Sequence, residues 1–306
     1  MIEASPDSIN AIITERDAQI AASFDYVASV LDVAAPRNSK GPLASAIFAD
    51  VVSKLNQGNQ TTAKDLFCGI DAICEATSQT CFGWRSDVLP DRVWDQVHRL
   101  FDTDRAIPFL PESTSDAKID RFKSTLAQAK ECLQEYCPAA LAEFDQIVSL
   151  IFLAEPENVP NGFSFDGAST FFCPEAILIN ADADRNVAEI TEVVLHEASH
   201  LLLFALVGSD GLCANDPSEA YTSPLRDEPR PIEGIFHAAF VTSRVHWVMV
   251  QLLSGPNFPQ DLRAAFENER QRLATASAAS MGVLKEHCKP TPKGQEVFDA
   301  LTAYWA

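Results

Sequence analysis

Apolar residues recur at intervals of three, four and seven over residues 7–34. There Ile9, Ile12, Ile13, Ile20, Phe24, Val27 and Leu31 trace one side of a helical pattern. The same periodicity predicts helices over 43–57, 60–77, 90–103 and 115–136. Breakers part them: PRNSKGP at 36–42, FGWRSDVLP at 82–90 and IPFLPESTS at 107–115. Near residue 146 the texture changes. QIVSLIFLAE and FFCPEAILIN, separated by the turn-rich PENVPNGFSFDGAS, are short, apolar and β-branched and read as strands. Helical patterns then return from about Asn186 to Gly208, from Pro231 onward, and over 259–283 and 294–305. The expectation is a mostly α chain of the α+β class. A helical region spans 1–145, and 146–306 forms a second region with a small β-sheet beside the helix at 186–208, the two making one compact unit.

The helix at 186–208 carries the chemistry. Asn186 followed three residues later by Glu189 predicts a capping box, and Gly208 is a natural C-terminal stop. Between them lies HEASH, with His196 and His200 one turn apart on the same face, so that both imidazoles can meet one cation. Glu197 projects to the side of that pair. In a zinc peptidase it would be the general base acting on metal-bound water. Three fixed positions, two of them a rare residue, make HExxH by chance in such a chain an event of roughly one per cent or less. Region 146–306 is therefore the expected metal-binding region.

Two ligands do not hold a catalytic metal, so a third must come from elsewhere. The extended pattern HExxHxxGxxH fails, because HEASHLLLFALVG has no third histidine. Downstream, Pro231 suits the first turn of a helix in which Ile232, Phe236, Phe240, Ser243, Trp247 and Val250 form a core-facing seam. Glu233, His237 and Arg244 border that seam as a polar stripe. His237 is the favoured third ligand; Glu233 is the competitor, since two histidines and a carboxylate are the usual non-haem iron set. His246 falls on nearly the opposite face.

Composition narrows the partners. With 23 Lys plus Arg against 43 Asp plus Glu, the formal net charge is −20, which disfavours nucleic acid and anionic membranes and favours a neutral or basic polypeptide. The eight cysteines form no CxxC pair and read as reduced thiols. The N-terminus shows no signal-peptide pattern, and no uninterrupted apolar stretch reaches membrane-spanning length. These features predict a cytoplasmic protein.

HEASHLLLF followed by PLRDEPRPIEGIFHAAFVTSRV resembles the bacterial HExxH-motif peptide-modification family, found with ribosomally made, modified peptides. Arg226, Arg230, Pro231, Gly234 and His237 stand at its Arg-x-x-x-Arg-Pro-x-x-Gly-x-x-His positions. The likeness covers about residues 170–250 and leaves the helical first half unmatched. It implies an Fe(II)- and 2-oxoglutarate-dependent hydroxylase that places a β-hydroxyl on an Asp- or His-type side chain of a precursor peptide. His196, His200 and His237 would then hold iron, and Arg230 or Arg226 would pair with the distal carboxylate of 2-oxoglutarate, with Arg244 a third nearby cation. A guanidinium suits that role because it binds carboxylates bidentately. Two other readings stay open: a zinc peptidase using Glu197 as base, and a helical peptide-binding module with a structural metal.

Overall fold

The computed structural model describes residues 1–39, 41–76, 81–87, 89–102, 110–157, 165–208, 210–223 and 228–306. Helices dominate, and the chain is mostly α with a small sheet. The order is α1 (Pro6–Leu31), α2 (Pro42–Asn56), α3 (Gln60–Cys68), α4 (Ile70–Ala76), β1 (Cys81–Gly83), α5 (Asp91–Phe101), β2 (Pro111–Glu112), α6 (Asp116–Tyr136) and α7 (Pro138–Ile147). There follow β3 (Leu150–Pro156), β4 (Gly167–Ser169), β5 (Ala176–Asn180), α8 (Val187–Val207), α9 (Ile232–Ser254), α10 (Gln260–His287) and α11 (Pro292–Tyr304).

The chain divides into two compact units that interleave in sequence. One holds Met1–Ile9, Ser124–Gln146 and Arg185–Ala306; the other holds Asn10–Lys123 and Ile147–Asp184. This division does not follow the expected boundary near residue 145. The strands belong with the N-terminal helices, whereas the HEASH helix belongs with α9, α10 and α11. The physical reason lies in the strands themselves. Leu150–Ala154 and Ala176–Asn180 are buried throughout, as expected of strands covered on both faces.

In the sheet-bearing unit, β3 lies between β1 and β5, parallel to both, and β4 closes the order β1-β3-β5-β4 in antiparallel pairing with β5. β2 pairs with the end of β3, Glu112 opposite Glu155. Phe152 is the hub of an aromatic cluster: Trp94, Trp84 and Phe101 lie 5.4, 5.8 and 6.2 Å from it, edge-on. Such edge-to-face contacts match the electropositive rim of one ring to the face of another. The expected helix over 60–77 breaks into α3 and α4 at Gly69, whose lack of a side chain weakens a helix interior.

In the other unit α9 packs along α10, and both pack on α8. Phe236, Phe240, Met249, Leu273, Leu284 and Leu301 are fully buried there. The seven cysteines whose side chains are described all carry free thiols.

Candidate metal centre

The sequence builds α8 as foreseen. Asn186 Oδ1 accepts from the N–H groups of Ala188 and Glu189 at 2.9 and 3.2 Å, and Glu189 Oε2 accepts from Asn186 N–H at 2.8 Å. Two of the donors that every helix start leaves unpaired are thereby satisfied. Gly208 ends the helix at φ 58°, a left-handed setting that glycine adopts without strain. Among the described residues α8 is the one helix long and apolar enough, by composition, to cross a membrane. Most of it is buried within the protein, and it carries Glu192, His196, Glu197 and His200.

One helical turn brings the His196 and His200 rings to 5.1 Å between centroids. From α9, His237 comes to 5.7 Å from His200, and Phe204 lies 5.5 Å from His237 as an aromatic wall. Imidazole nitrogens about 2.0–2.1 Å from a tetrahedral ion place neighbouring ring centres about 5 Å apart. The His196–His200 and His200–His237 spacings lie near that value, and imidazole is a suitable donor for such an ion. Among the described residues no group of three or more His, Cys, Asp or Glu side chains is arranged as it stands to hold a metal ion. Two of the rings are instead turned to carboxylates: His196 Nδ1 lies 3.4 Å from Glu192 Oε1, and His237 Nε2 lies 3.8 Å from Glu233 Oε1.

Electrostatics distinguishes the rings. Burial, reinforced by the charges of His196 and His237, pushes His200 well below the ordinary imidazole range, so it stands neutral with a lone pair to donate. Burial also opposes charge on His196, but Glu192 outweighs it and His196 titrates above the ordinary value. Glu192 is itself penalised by burial, yet His196 and Arg272 together hold it below the usual carboxylate range. Arg272 Nη2, on α10, sits 3.0 Å from Glu192 Oε1 and 2.7 Å from Glu269 Oε2. Glu197 is buried, 5% exposed, and its charge acts on His196.

Glu233 is engaged by the segment that follows α8. Its oxygens accept from Leu212 N–H at 2.9 Å and Cys213 N–H at 3.1 Å, and the Cys213 thiol lies 3.0 Å away. Burial disfavours its charge, but the bonds from His237, Cys213 and Leu212 hold its pKa down at about 2. It thus latches the segment after α8 to the first turn of α9. The far side of that segment is docked on the approach to α11, where Thr291 Oγ donates to Gly211 O and Thr291 N–H to Leu212 O. His237 is the side chain of this turn that faces His200.

Arg230 precedes Pro231, and its backbone forms a two-way bridge with Tyr221. Among the described residues no carboxylate lies within ion-pair distance of it. Arg226 lies outside the described residues. Arg244 corrects the expectation that it serves the site: its guanidinium is buried against Glu143 and the carbonyls of Met1 and Ile2. Its Nη1 and Nη2 are engaged by these acceptors and the side chain is 6% exposed. His246 packs away from the three rings, with Nδ1 2.7 Å from Tyr304 Oη.

Sequence reasoning missed Glu192 and Arg272. The first was detectable, because it stands four residues before His196 on the same helical face. The second comes from α10 and has no sequence signal.

No protein-family model matches the chain, and no curated protein is a significant match to it. The likeness to the HExxH-motif peptide-modification family stands on the motif residues alone.

Proposed function

We propose that His196, His200 and His237 hold a single divalent metal and that the protein is an Fe(II)- and 2-oxoglutarate-dependent hydroxylase of a peptide side chain. The observation that carries the metal reading is the approach of three imidazoles from two packed helices, at 5.1 and 5.7 Å. Imidazole donors suit iron and zinc alike. The choice of iron rests on the motif resemblance and on Arg230. This cation stands two residues before the helix that supplies His237, in a chain of net charge −20. It is suited to the distal carboxylate of a dicarboxylate cosubstrate.

When bound, Fe(II) with 2-oxoglutarate supplies the oxidation: one atom of O₂ enters a C–H bond as hydroxyl, and the other leaves in succinate as CO₂ is released. The chain's own residues prepare that chemistry. His200, kept neutral by burial, offers its lone pair. Phe204 shields the side of the His200–His237 pair. Arg230 orients the cosubstrate, and Glu197, buried beside His196, orients that ring or the peptide. The acidic surface favours a neutral or basic peptide as substrate.

Glu197 also supports a second reading, a zinc peptidase in which it is the general base. Metal-free protein loaded with Fe(II) under anaerobic conditions, then given 2-oxoglutarate, O₂ and candidate peptides, separates the two. Succinate release with a one-oxygen mass gain is expected. Peptide cleavage with Zn(II), and no succinate with Fe(II), would overturn the hydroxylase reading.

A further inference from the structure

The HEASH motif names its ligands, but nothing in the motif says which nitrogen of His196 meets the metal. An imidazole presents two, and a ligating ring is normally fixed by a partner on the other one. In α8, Glu192 sits one turn before His196, with Oε1 3.4 Å from Nδ1 and its side chain 13% exposed. A lone carboxylate there would be free to swing. It is not alone: Arg272 of α10 reaches the same oxygen at 3.0 Å and is steadied by Glu269 at 2.7 Å. The chain of contacts therefore runs from α10 through Glu192 into α8, and ends on Nδ1 of His196.

We propose that Glu192, clamped by Arg272, is a positioning residue that holds the proton of His196 on Nδ1 and presents Nε2 to the metal. The inference rests on reading the three histidines as ligands, and it adds a third helix to the centre. Its chemistry follows from the atoms. A carboxylate is acceptor-only, so the ring nitrogen beside it must be the one bearing hydrogen. Fixing that tautomer raises the basicity of Nε2 and removes a rotation that binding would otherwise have to freeze.

Two measurements test it. Metal-free wild-type protein and the variants Glu192→Ala, Glu192→Gln and Arg272→Ala are titrated with Zn(II) and Co(II) against a chelating indicator, with folding checked by circular dichroism. Glu192→Ala should weaken both ions by about 10–100-fold, with smaller losses for Glu192→Gln and Arg272→Ala. Separately, ring ¹⁵N shifts of the metal-free proteins at alkaline pH should report the Nδ1–H form of His196 in the wild type and its loss in Glu192→Ala. Unchanged affinity in folded Glu192→Ala or Glu192→Gln, or an Nε2–H ring in the wild type, overturns the proposal. If the wild type takes up neither ion while His196 still shows Nδ1–H, the ligand reading fails and the carboxylate clamp survives it.

Discussion

Replacing Arg244 by leucine separates a structural cation from a cosubstrate-binding one. The side chains of Arg244 and Glu143 are 6% and 9% exposed, so the pair is screened little by water. Among the described residues the substitution leaves Glu143 with the Ser5 N–H, 3.2 Å away, and it strips a donor from the carbonyls of Met1 and Ile2. Removing one partner of a buried pair typically costs about 3–5 kcal/mol. The figure is held toward the lower end here, because Arg244 Nε is already buried without an acceptor and its removal relieves that penalty. At about 2–4 °C per kcal/mol for a chain of this order, the melting temperature should fall by roughly 10 °C. Urea unfolding should show a lower midpoint with an unchanged slope. The double variant Glu143→Leu with Arg244→Leu should recover most of the loss, since no orphan charge remains. A single-variant loss below about 1 kcal/mol would refute the argument from burial. So would an intact melting temperature together with a raised KM for 2-oxoglutarate, which would return Arg244 to the site.

Three further outcomes follow from the same structure. His246, 7% exposed, has its pKa lowered by burial from 6.5 to about 4, so between those values the unfolded chain holds the extra proton and stability falls as pH drops from 6.5 toward 4. His246→Asn, which keeps a polar group toward Tyr304, should flatten that slope by roughly 3 kcal/mol in wild-type-minus-variant unfolding curves; parallel curves would refute it. Gly294→Ala should destabilise by about 1–3 kcal/mol or more, because a Cβ there would sit 1.8 Å from Leu212 O; a neutral result in thermal melts would show that this docking yields easily. His237→Ala should abolish stoichiometric metal uptake, whereas Glu233→Gln should retain it and speed amide hydrogen exchange at Leu212 and Cys213; the reverse pattern in metal analysis would make Glu233 the ligand.

The helices were legible wherever one face is apolar and a cap stands at the start. Asn186, Glu189 and Gly208 delimit α8 by chemistry that is wholly local, and the i, i+4 spacing of His196 and His200 fixes their common face. The strands were legible as apolar runs but not in extent, since Gln146 and Ile147 finish α7 and Phe171–Glu175 form a turn before β5. β1 and β2 hid inside segments that read as breakers, because strands of three and two residues exist only through pairing with β3. The third histidine was legible as a neighbour of a helix start. Arg244 was misread for a geometric reason: helical spacing gives its direction about α9, while its fate depends on Glu143 and the first residues, far away in sequence. Tertiary partners of that kind leave no periodic trace.

The same distance along the chain sets an order of assembly. The unit that houses the three histidines is gathered from three stretches, Met1–Ile9, Ser124–Gln146 and Arg185–Ala306, and Arg244 ties one member of each together. During synthesis the first two stretches leave the ribosome long before the third. The sheet-bearing unit has all its residues once Asp184 has emerged, while the opening residues still lack Arg244. Closing such loops is slow and exposes apolar surface in the interval. A truncation between residues 185 and 240 would strand Glu143 without the cation that neutralises it.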